Sequence, residues 1–96
     1  MTLRKQSNSA SAKARRKGDR EQRSRILERD GHCCRRCFTG SGTHGDRVFY
    51  VHHVLGKNAN PKLRHVDSNC VLLCFACHNW SHANPQAARE LFGVMK

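Results

Sequence analysis

The chain has 96 residues, with 18 lysines and arginines against 7 acidic side chains, for a formal net charge of +11. That length allows one small domain with a modest core and excludes a multidomain architecture, so a covalent or metal staple is expected. The basic balance, with a pI near 10.2, points to a polyanionic partner, nucleic acid ahead of an anionic membrane because no amphipathic apolar face accompanies the positive charges.

The N-terminal stretch "MTLRKQSNSASAKARRKG" lacks the apolar core of a signal peptide, and no run reaches membrane-spanning length. The expected compartment is therefore the reducing cytoplasm, where cysteines serve metals more often than disulfides. Residues 1 to 22 offer almost nothing to bury, which predicts a disordered basic arm making nonspecific phosphate contacts, followed by a folded domain over 23 to 96. In "SRILERDGHCCRRC", Ser24 is a candidate N-cap, Ile26 and Leu27 form an apolar spot, and Asp30-Gly31 is a stop signal, so a short helix leads into cysteines. A glycine-rich turn region, "FTGSGTHGD", precedes "RVFYVHHVL", whose β-branched and aromatic residues predict a strand. After a loop, "NCVLL" predicts a second short strand and "CFACHNWSHA" a metal-binding turn opening a helix. Asn84 caps a last helix over about 84 to 93, with Pro85 at its first position. The class is small α+β.

Six cysteines occur. Cys34 with Cys37, and Cys74 with Cys77, form two C-x2-C knuckles, an arrangement suited to one tetrahedral zinc. Such a site joins the two ends of the domain, and zinc bound only by the folded state contributes roughly 10–16 kcal/mol of apparent binding energy to folding. Cys33 adjoins Cys34, and the x2 spacing to Cys37 selects Cys34. Cys33 and Cys70 are then simplest as small thiols.

Histidines remain once four sulfurs complete that shell. His78 and His82 stand at i and i+4, on one face of the predicted helix. His52 and His53 close the predicted strand, and adjacent strand residues point to opposite faces, so at most one of them shares a metal with the helix. The other needs a different role.

The series "VHHVLG…NCVLLCFACHNWSH", a histidine doublet, an asparagine at the second strand and a histidine directly after the second knuckle, resembles the HNH nucleases, the ββα-metal or His-Me finger endonucleases. The resemblance spans about residues 24 to 83 and implies a ββα-metal finger with a structural four-cysteine zinc. It makes His53 the general base that deprotonates water. His52, where many members have Asp, becomes a ligand to a catalytic divalent cation together with His78 and His82. Asn69 braces the loop that orients His53. The implied activity is hydrolysis of DNA phosphodiester bonds to 5′-phosphate and 3′-hydroxyl ends, by nicking or double-strand cleavage.

A third imidazole in place of an Asp oxygen favours manganese, nickel or cobalt over magnesium as the catalytic ion. Arg35, Arg36, Arg47, Lys57, Lys62 and Arg64 flank the presumed site and are candidates for phosphate neutralisation. Trp80 is simplest as packing, as are Tyr50, Phe49, Val51, Val71, Leu72 and Leu73, while His32, His44 and His65 are loop histidines. The expected partner is DNA rather than a membrane, with a phage packaging or other DNA-processing protein as a further candidate, a monomeric or weakly dimeric state, and a bacterial host cytoplasm if the chain is phage-encoded. The competing expectation is a non-catalytic zinc-ribbon-like DNA-binding module, which needs the cysteines and the charge but not the four histidines.

Overall fold

Ser9 begins the first element by accepting the Ala12 N–H on its hydroxyl at 3.2 Å. In the computed structural model, which describes residues 9–43, 45–56 and 60–93, helix α1 then runs Ala10–Arg29 and ends at Asp30. Gly31, at φ +69°, takes the chain out of the helix. The disordered arm expected up to residue 22 is thus corrected from Ala10 onward, and the helix does not start at Ser24. Residues 1–8 lie outside the described residues. Alanine, arginine, lysine, glutamine and glutamate favour helix, but the larger reason is long-range and polar. Gln22 Nε2 and the Arg25 guanidinium donate to the Asp67 carboxylate at 3.2, 2.7 and 3.0 Å. Arg29 donates to the backbone carbonyls of Asp67 and Cys70 at 2.9 and 2.6 Å. Low apolar content therefore misreads α1, because polar side chains attach it.

Strand β1 (Phe49–His53) pairs antiparallel with β2 (Cys70–Cys74), in a register that sets Phe49 against Cys74, Val51 against Leu72 and His53 against Cys70. Helix α2 (Phe75–Ala83) leaves β2 without a loop, and α3 (Pro85–Phe92) follows after Asn84. The architecture among the described residues is small α+β, with three α-helices and one two-stranded sheet. None of these helices is long and apolar enough to cross a membrane. Pro85 does open α3, but the Asn84 side chain does not cap it: its Nδ2 donates backward to the Trp80 carbonyl at 3.0 Å. A core of Ile26, Leu27, Cys34, Phe49, Cys70, Leu72, Leu73 and Cys77 joins α1, the hairpin and both knuckles.

Asp30 sits in that core as a buried carboxylate. It accepts from Arg29 at 2.7 and 3.0 Å, from Arg35 at 2.7 Å and from the Leu72 N–H at 2.9 Å. Burial pushes its pKa up, but these donors outweigh it and hold the carboxyl below its ordinary value. A residue read from sequence only as a helix stop ties α1 to β2.

Gly18 stands in the interior of α1, where alanine would normally stabilise a helix by about 1 kcal/mol. A Cβ there would lie 2.4 Å from His65 Cε1. Gly18→Ala is therefore expected to forfeit that gain, leaving stability at or below wild type in urea denaturation. A full gain of about 1 kcal/mol would show that His65 does not lie against the helix.

Candidate metal centres and groove

Each knuckle is built locally. Cys34 Sγ accepts the backbone N–H groups of Arg36 and Cys37, both at 3.4 Å. The second knuckle uses a change of element, with Cys74 as the last residue of β2 and Cys77 in the first turn of α2. The four Sγ atoms lie within 4.8 Å of one another. All are free thiols, and Cys37 Sγ stands 3.7 Å from Cys74 Sγ. Two sulfurs each about 2.3 Å from a tetrahedral zinc are about 3.8 Å apart, whereas a disulfide requires about 2.05 Å. The four cysteines can hold a metal ion such as zinc. Cys33 stays outside the cluster, its thiol donating to the Asp30 carbonyl at 3.5 Å.

The thiols divide in charge preference. The Thr39 hydroxyl and N–H lower Cys37 to about 6, and at Cys34 the pull of burial is overcome by N–H donors. Burial pushes Cys74 up, and Cys77 up to about 12. Four anions so close need a cation before all can ionise. Arg36 supplies part of that charge by donating to Cys77 Sγ at 3.5 Å, with its guanidinium 3.8 Å over the Trp80 ring.

The second cluster joins β1 to α2. His52 is 5% exposed and faces His78 and His82, with ring centroids 5.4 and 5.3 Å away. One ring nitrogen from each lies within 4.8 Å of the others, so these three can also hold a metal ion. His78 and His82 bring their Nε2 atoms to 3.1 Å, close to the roughly 3.0–3.4 Å that two nitrogens about 2.1 Å from one ion would show. His52 Nδ1 is buried with no hydrogen-bond partner among the described residues, an arrangement that costs free energy unless something else meets the lone pair. The donor set fits a borderline divalent cation. Tyr50 stacks on His78 at 4.9 Å, with planes 3° apart, and so fixes that ring.

Burial first, and then the charges of His78 and His82, pull the His52 pKa down to about 4; burial also lowers His78. His52 is therefore neutral at pH 7, the form in which an imidazole can bind a metal. The sign of the stability effect follows directly. Between the ordinary value of 6.5 and the folded value of about 4, the unfolded chain binds a proton that the folded chain refuses. Stability of the protein without an ion on these imidazoles thus falls as pH drops from 6.5 toward 4, by up to about 3 kcal/mol, and levels off below. The check is the denaturation midpoint across that range in wild type minus that in His52→Gln, a difference that cancels acid loss of metal from the cysteines. Parallel curves would refute the assignment.

His53, the next residue along β1, stays outside that three-imidazole group. Its Nε2 donates to the Arg64 carbonyl at 2.8 Å, so the neutral ring carries its proton on Nε2 and its basic lone pair on Nδ1. Asn69 is fully buried, and its amide pairs in both directions with the Leu55 backbone at 3.0 Å. The Val54 N–H also donates to the Asn69 backbone carbonyl at 2.8 Å. The chain just beyond His53 is thereby locked to the start of β2.

A groove of about 710 Å³ is lined by residues that include His52, His53, His78 and His82. Asp19, Gln22 and Arg23 of α1 form one wall. Sequence reasoning missed all three, and the sole hint was an acidic residue beside a glycine inside a basic run. Of the six basic candidates, Arg47 lines the groove and Lys62 is exposed in the turn Pro61–Leu63. Arg35 is paired with Asp30, Arg36 lies on Trp80, and Arg64 is paired with Asp19. Lys57 and His44 lie outside the described residues. His32 contacts Asp46 at 3.0 Å and His65 contacts Asp19 at 2.7 Å.

Comparison with protein-family models, with curated proteins and with solved structures returns no match to this chain.

Proposed function

We propose that the protein is a metal-dependent DNA endonuclease of the HNH type, its hairpin and α2 acting as a ββα-metal finger. The observation that carries this reading is one groove shared by a three-imidazole cluster and by His53, whose tautomer is set by a backbone carbonyl. A module that only bound DNA would use the four-cysteine cluster but has no need of either feature.

In this mechanism His53 accepts a proton at Nδ1 from the water that attacks phosphorus, while its Nε2–H stays on the Arg64 carbonyl. The new bond forms between the water oxygen and phosphorus, the bond from phosphorus to the 3′-oxygen breaks, and the leaving 3′-oxygen takes its proton from solvent. His52, His78 and His82 would hold a divalent cation, and the chemistry it would supply is stabilisation of the charge that grows on the phosphoryl and leaving oxygens. Asn69 keeps the strand end beside His53 from shifting. Arg47 on the groove wall, Lys62, and the exposed Lys13 and Arg20 of α1 draw in the phosphate backbone.

Supercoiled-plasmid cleavage after chelation and metal add-back, with zinc content measured throughout, tests the proposal. Metal-dependent nicked or linear product is the expected result. DNA binding without cleavage under any metal would favour the zinc-ribbon-like module. Because all three ligands to the catalytic ion are imidazoles, turnover is expected to be several-fold higher with manganese, nickel or cobalt than with magnesium at equal concentration. Equal or faster cleavage with magnesium would remove His52 from the ligand set.

A further inference from the structure

The carbonyl that orients His53 belongs to a segment outside the sheet. Between the strands, the chain from Asn60 to Asn69 is a series of short turns bonded to itself, with Leu63 N–H on Asn60, Arg64 on Pro61, Val66 on Leu63 and Asn69 on Val66. The ends of this segment are tied to the chain after β1, Asn60 to the Gly56 carbonyl and Asn69 to Val54 and Leu55. Helix α1 holds its middle through side chains. The Asp19 carboxylate accepts Arg64 Nε at 2.9 Å, Arg64 Nη2 at 2.6 Å and His65 Nε2 at 2.7 Å. The fork from Arg64 is bidentate, the geometry that fixes direction as well as distance. One turn later, Gln22 and Arg25 hold Asp67. Gly18 completes the seat, because a Cβ would lie 2.8 Å from His65 Nε2 and 2.4 Å from Cε1. Arg64 foremost, opposed in part by burial and helped by His65, keeps the Asp19 carboxyl down at about 2, so the clamp is charged at neutral pH.

We propose that Asp19 is a positioning residue for His53. By gripping the Arg64 side chain it sets where the Arg64 carbonyl stands, and the carbonyl sets the tautomer and direction of the His53 ring. The chain of contacts runs from α1 through Asp19 and Arg64 to His53, across 34 positions of sequence from 19 to 53. Its catalytic consequence rests on the nuclease reading above; its structural consequence does not.

The test uses the full-length, zinc-loaded chain with nitrogen-15-labelled histidine, at one mildly alkaline pH. The His53 ring signals are assigned by their loss in His53→Gln. In wild type His53 is expected as the Nε2–H tautomer alone. Asp19→Asn, which keeps the shape of the side chain and removes its charge, is expected to yield a mixture of tautomers. Cleavage kcat should fall roughly ten- to a hundredfold with KM little changed, and Asp19→Glu should restore most of both readouts. An unaltered His53 tautomer in a folded Asp19→Asn overturns the proposal, whatever happens to cleavage. If Asp19→Asn does not fold, Arg64→Lys carries the same measurement, since it keeps the charge and loses the fork. Unfolding of both variants would also overturn it, by making the clamp a stability element. If wild type proves inert on DNA, the nuclease reading fails while the tautomer comparison still decides this inference.

Discussion

His53→Ala is expected to lower plasmid cleavage by about a hundred- to ten-thousandfold, with the fold and zinc content unchanged. The substitution removes the hydrogen bond from Nε2 to the Arg64 carbonyl, and a bond of that kind contributes only about 1 kcal/mol to stability. The three-imidazole cluster does not include His53 and is left intact. On the proposed nuclease reading, what disappears is the group that accepts the proton of the attacking water, so the loss should fall on kcat rather than on KM. His52→Ala should behave differently. It removes one of three nitrogens from the candidate cation site, and raising the metal concentration should recover part of its activity. Circular dichroism and bound zinc report the fold, and conversion of supercoiled plasmid reports the chemistry. Cleavage by His53→Ala at the wild-type rate would move the base elsewhere.

Cys77→Ser is expected to leave the chain largely unfolded at neutral pH and without its structural metal. Cys77 is 3% exposed and belongs to both the four-sulfur cluster and the core. Zinc in such a site contributes roughly 10–16 kcal/mol of apparent binding energy, against a net stability of about 5–15 kcal/mol for a whole domain. Losing one ligand would remove much of the first figure, and a core cluster of eight buried side chains among the described residues offers little in reserve. The contrasting variant is Cys33→Ser, whose thiol donates to the Asp30 carbonyl outside the four-sulfur cluster and whose loss should cost less than about 1 kcal/mol. Far-ultraviolet circular dichroism, zinc content and urea midpoints separate the two. A folded Cys77→Ser with full zinc content would overturn the cluster.

The readable parts of this chain were the local ones. C-x2-C spacing brings two sulfurs together within one turn whatever the rest of the fold does, and His78 with His82 share a helix face for the same reason. The two strands and α2 were legible because their periodicity and β-branched content act over a few residues. The course of α1 was not. Residues 10 to 22 hold almost no apolar side chains, so composition reads them as unstructured, yet Asp19 and Gln22 find partners 45 positions away. Arg35 and Arg64 show the same limit. Their charge suggested phosphate, and the folded chain gives each a carboxylate.

The sequence by itself therefore determined the ligand types, the pairing of cysteines into knuckles and the two histidine pairs, since bonded neighbours and helical spacing fix those within a few residues. Only the tertiary structure decided that the knuckles close one cluster, that His52 rather than His53 joins the α2 imidazoles, and that α1 walls the groove. Those outcomes depend on strand register and on ion pairs between distant segments, whose free energy exists only once the hairpin has brought the partners into contact.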